Sequence, residues 1–356
     1  MLNRWLSDIT YVSELILDIS GIRRLPKNVK DLIRAYKLMF LESFKITGSA
    51  VMQIFLLAAL GYFLIKKNIL GHEGLNALSR LVIEITLPLM IFCQLIKDFS
   101  FRLYSNWWIF PLISIAITIT GLIIGSLFTL FIRGPQHKLQ FLSLVAFQNS
   151  GYLVLALVAA LLPQDKLDSM FIYIFLFLLG FNLVIWSLGV YILSFTRAKK
   201  FELGSLFSPP VIATLVSLIF IFFGLNKFLP LAVLKPLRMV GDCTLPLAML
   251  VVGGNLASIH LGHIDKKAMS LAILAKLIIL PLLGLGLVIK FKLPELVGLL
   301  ILMQLAVPSA TTLSLIVRHY KKEDLFISQG IFLTHIASLV TLPLFLSFYF
   351  ALIMIK

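Results

Sequence analysis

Glu84-Ile85-Thr86-Leu87-Pro88-Leu89 recurs as Asp242-Cys243-Thr244-Leu245-Pro246-Leu247, and the two copies lie 158 positions apart. The same offset carries Asn68 onto Asn226 and Ser150 onto Pro308. A Thr-Leu-Pro-Leu match alone is weak in so apolar a chain. One offset that also lays the fourth apolar run on the ninth without a gap is a stronger signal. Five apolar runs therefore repeat as five. An odd number of crossings reverses the direction of the chain, so the second copy enters the bilayer upside down relative to the first. Inverted repeats mark secondary transporters, whose substrate site lies near the mid-plane between the halves.

Composition agrees with a membrane solvent. Of 356 residues, 60% are hydrophobic and 13% charged, and the mean hydropathy is +1.03. A soluble domain of this size needs more polar surface. The runs are long and unbroken, as helices of roughly 20 residues require, and lack the short alternation of a transmembrane barrel. They read as 46–66, 75–96, 107–132, 139–162, 169–195, 208–225, 236–259, 268–290, 295–317 and 326–353. The expected fold is an all-α membrane protein of about ten transmembrane helices in two inverted five-helix repeats. The repeats cover 46–195 and 208–356, joined by a loop over 196–207.

The net charge of +15 is spread over almost every loop. Membrane anchoring explains that distribution, and a nucleic-acid partner is not implied. Residues 1–45 carry eight Lys/Arg and no spanning run. They form a basic N-terminal tail without the apolar core of a signal peptide. The tail is either an amphipathic stretch on the membrane surface or an extension ahead of a start at Met39. Without it, the loop cations place both termini outside; counting it reverses the vote. Tyr104, Trp107 and Trp108 suit an interfacial belt, and Gly121 with Gly125 a helix-packing face. Cys93 and Cys243 fall inside apolar runs, with no disulfide or metal-site spacing. No cofactor motif is present.

The site is expected where matching helices break. Gln148, Asn149, Ser150 and Gly151 interrupt the fourth run. In the ninth, Pro308 lacks an N–H and clashes one turn back, beside Ser309, Thr311 and Thr312. Two helix halves that restart there would aim their N-termini at one point, each with roughly half a positive charge, which suits a carboxylate. The bland alternative is a pair of kinks that serve packing alone. Glu84, Asp242 and Lys276 are ionisable groups within or near the runs, where a charge is costly without a partner or a role. They are candidates for ion coupling or for pairing with one another. His335 reads as a packed residue of the last span, and Arg318 and Lys321 as anchors after the ninth.

Leu305-Ala306-Val307-Pro308-Ser309-Ala310-Thr311-Thr312, continuing to Tyr320, resembles the ninth-span signature of the auxin efflux carrier family. That family includes plant auxin exporters and bacterial malate and malonate permeases. Pro246 to Ala257 is similar to its seventh span, and Asn149-Ser150-Gly151-Tyr152 to its fourth-span crossover. Val154 and Ala156 stand where the family usually has a Gly and a Pro. The likeness covers roughly 46–354. It implies a scaffold of spans 1, 2, 6 and 7, often dimeric, and a mobile domain in which helices 4 and 9 cross. It also implies an elevator-like transporter of a small carboxylate such as malate, malonate or an auxin-like acid, in the bacterial inner membrane. A sodium-coupled carrier of bulkier acids, similar to the bile-acid symporters, is the nearest rival, distinguished by strict sodium dependence. A membrane enzyme or sensor is the rival from another class. The sequence has no HExxH, GxSxG or P-loop and no soluble signalling domain.

Overall fold

The computed structural model describes residues 29–194, 206–259, 262, 264–319 and 325–354, with side chains from Tyr36 onward except those of Arg318, His319, Ile353 and Met354. Most of the basic tail, most of the 196–207 loop, and Lys321 lie outside the described residues. The described part is almost wholly helical. In chain order the helices are α1 (Val29–Lys66), α2 (His72–Asp98), α3 (Ile109–Phe128), α4 (Pro135–Ala146), α5 (Tyr152–Leu161), α6 (Gln164–Ser194), α7 (Pro209–Phe222), α8 (Leu231–Ala257), α9 (Lys266–Phe291), α10 (Glu295–Ala306), α11 (Thr312–His319) and α12 (Leu325–Met354).

Local chemistry sets these bounds. Pro135 opens α4, where its missing N–H costs nothing. The Asp265 carboxylate caps α9 by accepting the Ala268 N–H at 3.0 Å. Asn68 and Lys292 leave α1 and α9 through the left-handed region, at φ 54° and 47°. Helix α1 is already formed at Val29, and Met39 and Ser43 are buried, so residues 29–45 are continuous with the first helix, whose spanning part begins at Tyr36.

Among the described residues, seven helices are long and apolar enough to cross a membrane. Three of the ten expected spans do not reach that length, and only shorter apolar helices occupy them: Tyr152–Leu161, Pro209–Phe222 and Glu295–Ala306. In 139–162 and 295–317 the cause is interruption, because each run is cut in two by an extended segment. Three of the long helices also contain a π-turn, at Val82–Thr86, Ile185–Gly189 and Ala275–Ile279.

The helices pack in two groups. Helix α8 lies along α1 and α2, and α7 lies along α2. In the other group α3 packs on α4 and α6, while α10 and α12 pack on α9 and on each other. Helices α5 and α12 join the groups through α1. Glycines permit the closest approaches: a Cβ at Gly253 would lie 1.6 Å from the Ala58 carbonyl oxygen, and one at Gly61 would lie 2.1 Å from that of Leu250. Backbones in contact at small residues are the usual device for helix pairing in lipid. Gly121 and Gly125 do the same between α3 and α4, against Ala146 and Leu142.

Candidate crossover site

Helix α4 stops at Phe147, which is extended, and the chain restarts as α5 at Tyr152. Helix α10 stops before Val307, also extended, as expected of a residue ahead of proline. The chain restarts as α11 at Thr312. The two breaks cross and pair antiparallel through Gln148 and Ser309. Asn149 N–H donates to the Pro308 carbonyl at 2.9 Å, and Ala310 N–H donates to the Phe147 carbonyl at 3.0 Å. Each break thus supplies the hydrogen bonds the other lacks, which is how irregular backbone survives inside a membrane protein. The restarting residues Tyr152 and Thr312 are 160 positions apart, so the repeat offset of 158 is short by two here.

A cavity of about 130 Å3 opens on this crossing. Gln148, Asn149, Ser150, Gly151, Thr311 and Thr312 line it, together with Tyr152 and Ala310. The first turns of α5 and α11 therefore face it, and their leading N–H groups have no partner within their own helix. Gln148 is fully buried, and among the described residues neither its amide nitrogen nor its amide oxygen has a partner. Such a group is costly unless something else satisfies it.

Pro308 and Ser309 stand behind the cavity. The Pro308 carbonyl holds Asn149, and the Ser309 hydroxyl donates to the Leu144 carbonyl at 2.7 Å. The rest of the wall is apolar and aromatic, from Ile83 and Leu87 of α2 and Leu178, Phe181, Ile185 and Trp186 of α6. Among the described residues none that lines the cavity is charged. Asn182 and Ser208 also contribute, and neither was singled out from the sequence. Asn182 was findable as a polar residue in an apolar run. His335 is fully buried, as read, and lies 3.3 Å from the Asn149 amide nitrogen.

The ionisable candidates are elsewhere. Glu84 accepts from Arg80, one turn earlier, at 3.0 Å on an exposed helix face. Asp242 is exposed and lines a second cavity. Lys276 is buried on the π-turn of α9, and among the described residues no ion pair links it to either carboxylate. The three groups sit on different helices and do not converge on the crossing.

The second cavity, about 170 Å3, is polar and contains Lys97, Asp168, Arg238 and Asp242. Helices α2, α5 and α6 each run from one cavity to the other: Tyr152 of α5 faces the first and Ala159 the second. Seven residues of helix separate those two positions by roughly 10 Å. Asp168 ties the groups together here. Its Oδ1 accepts from Gln94 of α2 at 3.0 Å and from Gln164 at 3.0 Å, and its Oδ2 is 3.8 Å from Lys97 Nζ.

Residues 47–346 match the family described as membrane transport protein. The chain belongs to this family, the auxin efflux carriers. The carrier is similar to an uncharacterized transporter of Methanothermobacter thermautotrophicus, 28% identical over 83% of this chain and 95% of the relative. It is also similar to Protein PIN-LIKES 1 of Arabidopsis thaliana, 22% identical over 89% of this chain and 81% of the relative. An uncharacterized transporter of Methanocaldococcus jannaschii is 25% identical over 83% and 96%. The two archaeal relatives are named as transporters, and no catalytic family is indicated. The carrier is an integral membrane protein.

Proposed function

We propose that the protein is a secondary transporter of a small organic anion, and that the anion binds at the crossing of α4–α5 with α10–α11. The observation that carries this is the unpartnered Gln148 amide buried where two helix N-termini meet one cavity. Two termini with roughly half a positive charge each balance one carboxylate and not two. Among the described residues no Lys or Arg lines the cavity to hold a second anion, and most of its wall is apolar. The site therefore favours a monocarboxylate with an apolar or aromatic body over malate or malonate.

In this reading each broken pair counts as one crossing, which gives ten crossings in two inverted repeats. Helices α1, α2, α7 and α8 form the scaffold. The remaining helices carry the site past it, from the first cavity toward the second. The two cavities, set one after the other along α2, α5 and α6, support alternating access. The Asp168 tie holds the second side shut.

Uptake into proteoliposomes tests the reading. Indole-acetate, acetate, malate and malonate are offered in turn, with and without a proton or sodium gradient. Saturable flux of an apolar monocarboxylate, lost in Asn149→Ala and Pro308→Ala variants that remain folded, is the expected result. Normal flux in both variants, or flux of dicarboxylates alone, overturns the placement or the substrate class.

A further inference from the structure

Consecutive residues of α12 reach both broken helices at the crossing. The Thr334 hydroxyl oxygen accepts the Ser309 N–H at 3.3 Å, and His335 Nε2 faces the Asn149 amide nitrogen at 3.3 Å. Both side chains return to one backbone group of their own helix, the Ile331 carbonyl, with Thr334 Oγ1 at 3.0 Å and His335 Nδ1 at 2.8 Å. All of these groups are buried, and His335 has no solvent exposure.

The chemistry of the carbonyl fixes the rest. A carbonyl oxygen only accepts, so the proton of the neutral imidazole is on Nδ1 and Nε2 carries a bare lone pair. That lone pair accepts an N–H from Asn149. A flipped amide would set its oxygen against the lone pair. The ring thus selects one orientation of the amide, while the Pro308 carbonyl holds the Asn149 backbone at 2.9 Å. The Asn149 carbonyl oxygen is left for the cavity that the residue lines.

We propose that His335 and Thr334 are positioning residues that clamp the crossing, and that His335 decides which end of the Asn149 amide meets the cargo. The clamp rests on the crossover being the transport site, but its geometry can be tested without transport. The first measurement is nitrogen-15 histidine NMR of the whole protein in nanodiscs, with His335→Gln assigning the signal. A ring protonated at Nδ1 and bare at Nε2 is expected. Protonation at Nε2, alone or in addition, overturns the proposal.

The second measurement is uptake kinetics. His335→Leu removes the acceptor and frees the amide, and KM should rise about three- to tenfold, the range of one lost hydrogen bond. Vmax per folded carrier should change less than about twofold by the same reasoning. His335→Gln restores an acceptor and should recover most of the KM. Wild-type kinetics in His335→Leu, or no recovery in His335→Gln, refutes the positioning role. If His335→Leu does not fold, the glutamine variant and the NMR signal still decide. If the wild type moves no acid, the functional reading fails while the tautomer still tests the clamp.

Discussion

Replacing Asp168 with alanine should open the second cavity. Asp168 lies on α6, and the bonds it makes across to α2 are those from Gln94 at 3.0 Å and Lys97 at 3.8 Å. Gln94 also donates to Asp98 at 2.8 Å, and Lys97 lies 3.3 Å from Asp98. The variant therefore leaves neither group without a partner; it removes the link between helix groups together with the bond from Gln164 within α6. A hydrogen bond to a carboxylate contributes about 1.5–3 kcal/mol when buried. Here the carboxylate is 27% exposed and Lys97 49%, so the lysine adds little and the whole is discounted to about 1–2 kcal/mol. That biases the equilibrium toward the conformer open at the second cavity by about five- to thirtyfold. Cys93 reports the change, since it lines that cavity and is only 8% exposed. In a Cys243→Ser background, which removes the exposed thiol, a maleimide should label Cys93 about fivefold faster or more in Asp168→Ala. Unchanged labelling in a folded variant would refute the latch. Slower labelling would reverse its sign.

Three further outcomes follow from particular contacts. Gln148→Leu should raise thermal stability by about 1 kcal/mol while abolishing uptake, because it removes two unpartnered buried polar atoms along with the ligand's contact. Melting of the purified carrier beside flux would show the opposite signs. Gly253→Ala should destabilise by about 1–3 kcal/mol by forcing α8 off α1. Gly286→Ala, with open space at its Cβ, should be neutral or better on the same melting assay. Trp186 lines the crossover cavity, so an apolar monocarboxylate should change tryptophan fluorescence saturably, and Trp186→Phe should abolish that response.

Much of the crossing was legible in the residues. Pro308 lacks an N–H and disfavours helix at Val307, so a break in the ninth run follows from covalent chemistry alone. The fourth run is different. Its Gln148-Asn149-Ser150-Gly151 segment is polar enough to suggest an interruption, but no proline enforces one, and Val154 and Ala156 continue as helix. What holds Phe147 extended is the Ala310 N–H from the other half of the chain. The two-residue slip in the repeat offset has a similar origin. Apolar sequence aligns well over a stretch, yet backbone pairing alone fixes which residues meet.

By itself the sequence determined the solvent, the helical class and the family, because long apolar runs and a proline in a polar break carry their meaning locally. Tertiary structure decided the rest. Among the described residues it paired Lys276 with no carboxylate and gave Glu84 to Arg80, although charge alone suggested a pairing between them. It brought His335 and Thr334 of the last helix to Asn149 and Ser309. A histidine in an apolar run looks the same whether it packs or positions. The direction of its ring is set by neighbours far away in the chain, and the fold alone supplies them.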